Sequence, residues 1–155
     1  MSKYTDAELQ QATIADHWLK RARIMEYDIR DCRDQIAILK EQARSAGAVF
    51  GGIRAQTTSD KVGNAVAAIM REVDTLEEMI VRKQHLRETI RRAIDAVPDL
   101  TLRRLLMQRY LLYRTWEQAA EAMDYDAAWL AHKRVPALLS VKLPWQEMEE
   151  GGGNE

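Results

Sequence analysis

The stretch Thr115–Arg134, TWEQAAEAMDYDAAWLAHKR, contains two short helical segments separated by a tight turn. Thr115 and Gln118 have the spacing of a capping box, in which the Thr hydroxyl accepts from the Gln amide and the Gln side chain reaches back. Asp124 can adopt the left-handed conformation that the turn needs, and Asp126 can cap a second helix. The pattern predicts a helix-turn-helix.

The second helix of this motif carries the residues best placed to contact nucleic acid, because it is the helix that enters the major groove. The candidate DNA contacts are Ala128, Trp129, His132, Lys133 and Arg134. His132, Lys133 and Arg134 are equally consistent with a solvated helix face. Trp129 either packs on a neighbouring helix or, if exposed, would suit a protein partner better than a base edge.

Pro136 bears on the length of this helix. Its ring clashes with the carbonyl of His132 and removes a backbone donor, which costs about 3 kcal/mol in a helix interior. The second helix therefore either ends near Arg134 or kinks and continues through Ala137, Leu138 and Val141.

The composition of the chain indicates an all-α protein. Helix-favouring residues dominate, only three Pro occur, and no alternating β-branched run predicts a strand. The 23 basic and 24 acidic residues give no overall positive charge. We expect a soluble intracellular protein, since no apolar run approaches the roughly 20 residues that span a bilayer and the single Cys32 excludes an internal disulfide.

Two long amphipathic helices precede the helix-turn-helix. Apolar residues spaced alternately by four and three predict one helix over about residues 5–44 and another over about 60–97, capped by Ser59 or Asp60. The first seam comprises Trp18, Ala22, Met25, Ile29, Cys32, Ile36, Leu39 and Ala43. The pair predicts a long antiparallel, coiled-coil-like hairpin over residues 1–97.

Residues 45–59 are predicted to be the linker of this hairpin, because Gly47, Gly51 and Gly52 interrupt the apolar pattern. The glycine spacing and the Lys-Ser/Thr pair of a phosphate-binding loop are absent. Since a two-helix hairpin buries only a narrow stripe, we expect a third helix or a second copy of the chain to cover it.

A run of cations lies near the end of the second long helix. It consists of Arg82, Lys83, Arg87, Arg91 and Arg92. These residues could contact phosphate groups beside the helix-turn-helix. They could also form a solvated helix end, and Lys83 and Arg87 could fix the register of the seam.

Pro98 marks the predicted boundary of the C-terminal domain, residues 98–143, because the residue before a proline leaves the helical region. Asp99 can cap a helix from Leu100 to about Tyr113, and Trp116 is expected to anchor the domain core. The remaining residues, 144–155, are acidic and Gly-rich and are predicted to be disordered.

The pattern LLMQRY at Leu105–Tyr110, followed by Thr115–Gln118, Ala120, Met123 and Tyr125, resembles a family of phage and prophage proteins of unknown function. That family is similar to sigma-factor region four and to the ArpU and RinA regulators of late phage genes. The likeness covers roughly residues 60–141. It implies a sigma-like helix-turn-helix in a transcription regulator that acts in the cytoplasm of a bacterial host cell.

The residues point to a binding protein and not to an enzyme. His17, His85 and His132 fall on separate helices without metal-ligand spacing, and no nucleophile or acid–base pair can be placed. We therefore expect no cofactor, no metal and no membrane association. The leading hypothesis is a DNA-binding regulator that forms homo-oligomers through the hairpin. The alternative is an adaptor that binds RNA polymerase or a phage protein and whose helix-turn-helix no longer reads DNA.

Overall fold

The computed structural model of the chain describes residues 3–50 and 56–146, with side chains placed for residues 3–47 and 60–146. All regular structure in these ranges is helical, which confirms the all-α prediction. The elements are α1 (Asp6–Phe50), α2 (Gln56–Asp95), α3 (Leu100–Leu106), a π-helix (Met107–Leu111), α4 (Trp116–Ala122) and α5 (Ala127–Leu139). In this part of the chain, no helix combines the length and apolarity needed to cross a bilayer.

The chain divides into two compact units, and both long helices contribute to each of them. The hairpin unit is Met25–His85. The multihelical unit comprises the chain up to Ile24 together with the chain from Leu86 onward. The division therefore does not fall at Pro98, where the sequence placed it, because the start of α1 and the end of α2 pack with the C-terminal helices.

The hairpin unit is held together by the apolar seam that the heptad spacing predicts. Its buried side chains are Ile29, Cys32 and Ile36 of α1 and Val73, Leu76 and Ile80 of α2. Lys83 of α2 occupies a seam position and pairs with Asp28 of α1 at 3.0 Å. The long helices thus pack as a hairpin, as predicted.

The core of the multihelical unit contains side chains from all of its helices. α1 supplies Ala12, Ala15, Trp18, Leu19 and Ala22; α2 supplies Ile90, Ile94 and Val97; and the C-terminal helices supply the rest, including Leu105, Leu106, Tyr110, Trp116, Leu130 and Leu138. Leu19, Leu105 and Leu106 are completely buried. The helix-turn-helix is therefore packed directly on the first turns of α1.

The predicted linker at residues 45–59 is too long. α1 continues through residues 45–50 and α2 already begins at Gln56, so neither Ser59 nor Asp60 starts that helix. A helical Gly costs only about 1 kcal/mol relative to Ala, and Gly47 is flanked by Ala residues that favour the helix. Residues 51–55, including Gly51 and Gly52, lie outside the described residues.

Two further boundaries differ from the sequence prediction. The helix from Leu100 does not remain α-helical to Tyr113: it widens into the π-helix at Met107, and Tyr113 has a positive φ of 59°. Disorder was predicted from Pro144 onward, but residues 144–146 form a helical turn in which Leu143 donates its amide to Gln146 Oε1. Burial of Leu143 fixes this turn to the core. The acidic residues 147–155 lie outside the described residues.

The helix-turn-helix has the local structure that its sequence predicts. Thr115 accepts from the Gln118 amide at 3.1 Å while Gln118 Oε1 accepts from the Thr115 amide at 3.0 Å. Asp124 is left-handed, with φ 63°. Asp126 accepts from the Trp129 amide at 2.8 Å and so caps α5, which continues through Pro136 to Leu139.

Replacing Thr115 with Ala should lower the free energy of unfolding by about 1 kcal/mol, because the substitution leaves the first amides of α4 without an acceptor. Urea unfolding followed by circular dichroism measures the change. Thr13→Ala is the matched control: the Thr13 hydroxyl bonds only the Leu9 carbonyl within α1, and Ala favours a helix interior. If both variants lost the same amount of unfolding free energy, the capping box would contribute nothing specific to stability.

Replacing Asp124 with Gly should raise the free energy of unfolding. The left-handed conformation costs an L-residue about 1–2 kcal/mol, a penalty that Gly escapes, although its freer unfolded state offsets part of the gain. Asp31→Gly, at an exposed helical position of α1, should instead lose a few tenths of a kcal/mol. Opposite signs in the same denaturation assay are the expected result, and destabilisation of both variants would exclude strain at Asp124.

Candidate nucleic-acid interface

The exposed face of α5 contains most of the residues that the sequence singled out. Ala128 and His132 are four residues apart, so they lie on one side of the helix, and both are exposed. Lys133 is also exposed, while Trp129 is half-buried. Small side chains such as Ala128 allow a helix backbone to come close to a partner surface. Ala128, His132 and Lys133 are thus accessible to a partner, whereas Trp129 packs partly against the core.

Arg134 lies apart from the other candidates. It follows His132 by two residues, which in an α-helix is a rotation of about 200°. Its guanidinium carbon lies 5.0 Å from the centroid of the Trp116 ring, to which it makes a cation–π contact. Arg134 is itself exposed, so its guanidinium contacts the Trp116 ring and remains accessible to solvent.

Trp129 packs against a residue of the turn that precedes α5. Its ring is stacked on that of Tyr125, with centroids 3.9 Å apart and planes inclined by 8°. Tyr125 remains 40% exposed. The stack is an aromatic surface at the start of α5, and the sequence reading, which considered Trp129 alone, did not include it.

Two carboxylates, Asp124 and Asp126, flank Tyr125 of this aromatic surface in the sequence. Glu117 and Glu121 are exposed on α4, and Asp124 and Asp126 are exposed in the turn. The Asp126 carboxylate is committed to the α5 cap, but the other three extend no hydrogen bond to α5 among the described contacts. A negative potential near the turn disfavours phosphate there and favours a basic partner.

The cationic run at the end of α2 does not form one continuous patch. Lys83 is half-buried in the seam and paired with Asp28. Arg91 and Arg92 are exposed and lie near Asp95 and Glu88, at 4.0 and 3.5 Å. Of the remaining two, Arg87 is half-buried and Arg82 is exposed. Arg82 and Lys83 also belong to the hairpin unit, whereas Arg87, Arg91 and Arg92 belong to the multihelical unit.

The rings of Tyr110 and Trp116 pack against each other in the core of the multihelical unit, and Tyr110 is hydrogen-bonded to the Asp16 carboxylate. Trp116 is buried, which confirms the prediction that it anchors the domain core. Its ring packs edge-to-face against the ring of Tyr110, with centroids 5.6 Å apart and planes inclined by 89°. The Tyr110 hydroxyl donates to Asp16 Oδ1 of α1 at 2.5 Å, and Lys20 pairs with Asp16 Oδ2 at 2.9 Å. This hydrogen bond joins residues 94 positions apart in the sequence.

Both members of this hydrogen bond have displaced pKa values. Burial raises the pKa of the Tyr110 hydroxyl well above its ordinary value of 10.0, and the adjacent Asp16 carboxylate raises it further. Burial alone would raise the pKa of Asp16, but the hydrogen bond from Tyr110 and the charge of Lys20 outweigh it, so the pKa lies below its ordinary 3.8. The pair is therefore a neutral phenol bonded to a carboxylate at neutral pH.

The sequence reading missed a set of arginines around these rings. Arg109 lies over Tyr110 and Trp116, with its guanidinium carbon 5.2 and 5.7 Å from the centroids. Its Nη1 donates to the Arg114 carbonyl at 3.1 Å. The alternation of Arg and aromatic residues over residues 109–116 was a usable signal.

Comparison with protein-family models, with curated proteins and with solved structures gives no match to this chain.

Replacing Tyr110 with Phe should lower the free energy of unfolding at neutral pH, and the loss should shrink at both ends of the pH scale. Below the ordinary Asp16 pKa of 3.8 the wild type loses stability as its carboxylate is protonated, because the folded pKa is depressed. Above 10.0 the unfolded wild type gains by ionising Tyr110, because the folded pKa is raised.

Urea titrations of the wild type and Tyr110→Phe across the pH range test this expectation. Tyr125→Phe also removes a phenolic hydroxyl but keeps the ring stack, and it is the matched control at neutral pH. A Tyr110→Phe loss that stays constant from acid to alkaline pH would contradict a stabilising bond between Tyr110 and Asp16.

Proposed function

We propose that the multihelical unit is a helix-turn-helix DNA-binding module of a phage-type transcription regulator that acts in a bacterial cytoplasm. The supporting observation is the capped α4–turn–α5 unit, in which Ala128, His132 and Lys133 of α5 are exposed. In proteins of this class the second helix occupies the major groove and its N-terminal turns reach base edges. The resemblance to sigma-factor region four agrees with this role.

The length and composition of α5 suit this role. Thirteen residues at about 1.5 Å per residue span roughly 20 Å. The contact residues lie in the first two turns, ahead of Pro136, and the helix persists beyond that proline. The donor lost at Pro136 therefore does not shorten the part of α5 that would enter the groove.

The positive charge of the multihelical unit lies in its described residues. Over residues 3–24 and 86–146 the sequence has 14 Lys and Arg against 10 Asp and Glu, a net charge of +4. Residues 147–155 of the same unit have four Glu and no cation, so the whole unit is neutral, with 14 against 14. Residues 25–85 have 9 against 10. Charge therefore supports DNA binding only through the +4 of residues 3–24 and 86–146, which attracts the phosphate backbone.

Fluorescence anisotropy of a labelled mixed-sequence duplex, titrated at several salt concentrations, tests the proposal. We expect binding that weakens with salt, since each neutralised phosphate releases counterions. Lys133→Glu should weaken binding several-fold and reduce the magnitude of the logarithmic salt slope by about one. Lys133 is used alone because reversing Arg134 would also disturb its contact with Trp116.

Lys40→Glu provides the matched control, because Lys40 is exposed on α1 of the hairpin unit and the charge change is the same. It should leave the affinity and the slope close to those of the wild type. Equal effects of the two substitutions would show that binding depends only on the total charge of the protein. The assignment of α5 as the DNA-contacting helix would then be wrong. No binding at low salt would eliminate the DNA-binding function itself.

A protein-binding adaptor is the second candidate, and the surface at the start of α5 favours it. The Tyr125–Trp129 stack and the exposed carboxylates Glu121 and Asp124 match a basic partner, such as a segment of RNA polymerase or of a phage protein. Trp and Tyr are also the residues that most often anchor protein interfaces. Under this function Trp129→Ala would abolish capture of the partner while DNA affinity stays at the level of the wild type.

A further inference from the structure

A small groove lies between the first turns of α1 and the later turns of α5. Its apolar lining comes from Leu9 and Ala12 of α1 and from Val135 and Leu138 of α5. Both segments belong to the multihelical unit, and Ala12 and Leu138 are buried in its core. Leu9 remains 36% exposed, so the groove is open to solvent along α1. The fold thus leaves an accessible apolar surface between two of its helices.

The volume of the groove limits its ligand to a small molecule. The groove encloses about 220 Å³. An apolar cavity of about 150 Å³ holds a benzene molecule, whereas pockets for drug-sized ligands start at about 300 Å³. The groove therefore has room for one apolar group of the size of an amino-acid side chain together with a short polar head, and it is too small for a nucleotide.

Two side chains of opposite charge line the same groove. Asp16 of α1 supplies a carboxylate, and Arg134 of α5 supplies a guanidinium. Arg134 forms no ion pair with Asp16 or with any other residue that the structure describes. Its guanidinium carbon lies 5.0 Å from the centroid of the Trp116 ring, and the side chain is exposed. A guanidinium without an anionic partner beside an apolar groove favours a carboxylate ligand, which it can bind through two parallel N–H groups.

The Asp16 carboxylate disfavours a ligand that carries only a negative charge. A carboxylate has about four lone-pair sites, and the bonds to Tyr110 and Lys20 use one site on each oxygen of Asp16. Each oxygen can therefore accept one further hydrogen bond. A simple carboxylic acid would bring its own negative charge close to Asp16, and a simple amine would meet Arg134. A ligand with an ammonium and a carboxylate on the same carbon complements both side chains.

We propose that this groove binds a free apolar α-amino acid, with Arg134 holding the α-carboxylate and Asp16 accepting hydrogen bonds from the α-ammonium. The side chain of the amino acid packs on the apolar lining. Thr13 also lines the groove, and its hydroxyl, which donates to the Leu9 carbonyl, keeps its lone pairs as further acceptors. The site does not depend on the proposed DNA-binding function, because none of these contacts involves nucleic acid.

Backbone amide chemical shifts of the ¹⁵N-labelled full chain, titrated with L-methionine at neutral pH, test this site. Methionine is the probe because its flexible side chain adapts to irregular apolar surfaces. We expect saturable shifts in residues 9–16 and 134–138, and none of that size in residues 25–47 of the hairpin unit. N-acetyl-L-methionine lacks the ammonium and L-methioninamide lacks the carboxylate, so each should bind about tenfold more weakly.

Arg134→Gln should also weaken methionine binding about tenfold, because it removes the guanidinium that holds the carboxylate. Arg104→Gln, at an exposed position of α3, is the matched control and should keep the wild-type affinity. Thermal unfolding of both variants separates a loss of binding from a loss of folding, and the two methionine analogues test the same contacts on the wild-type chain.

Three outcomes would overturn the proposal. The absence of saturable shifts at the solubility limit of methionine would exclude the site. Binding of either analogue as tight as that of methionine would show that the two charged groups are not recognised together. Equally tight binding of ethyl methyl sulfide, which keeps only the side chain of methionine, would assign the groove to an apolar side chain of a partner protein.

Discussion

The hydrogen bond from Tyr110 to Asp16 is the contact on which the multihelical unit depends. It links α1 to the π-helix across 94 residues of sequence and places the Tyr110 ring edge-on against Trp116. Trp116 in turn begins α4 and contacts Arg134 of α5. One buried aromatic pair therefore connects the first helix of the chain to both helices of the helix-turn-helix. An unpaired Asp16 or Tyr110 at this depth would carry the desolvation penalty of a polar group without an acceptor or donor.

Local features of the sequence were predictable because they depend on neighbours in the chain. The capping box of Thr115 and Gln118, the left-handed Asp124 and the Asp126 cap are each set within four residues. The heptad seam was equally accessible, since spacing alone determines which side of a long helix is apolar. The packing of Leu19 in one core with the C-terminal helices could not be predicted from the sequence. The reason is that the spacing of apolar residues does not encode which distant helix covers an apolar face.

The candidate site shows the same contrast at the level of single residues. Lys133 and Arg134 are adjacent in sequence and both are exposed, yet only Arg134 makes a cation–π contact with Trp116 among the described contacts. The cations of α2 were predicted as a group because they lie within eleven residues of sequence. The structure instead pairs Lys83 across the hairpin with Asp28. Charge in a sequence window does not identify a patch, because side chains separate by about 100° per residue around a helix.

The two candidate functions depend on opposite charges presented by different elements of one unit. Arginine side chains lie over Tyr110, Tyr113 and Trp116, while Asp124 and Asp126 flank Tyr125 of the Tyr125–Trp129 stack. A uniformly cationic surface would bind DNA more tightly, but carboxylates beside the turn repel phosphate and oppose close approach at the start of α5. Under the proposed DNA-binding function, a duplex would therefore approach the unit away from the turn. The acidic aromatic surface is the part of the unit whose chemistry suits a basic protein, as the second proposed function requires.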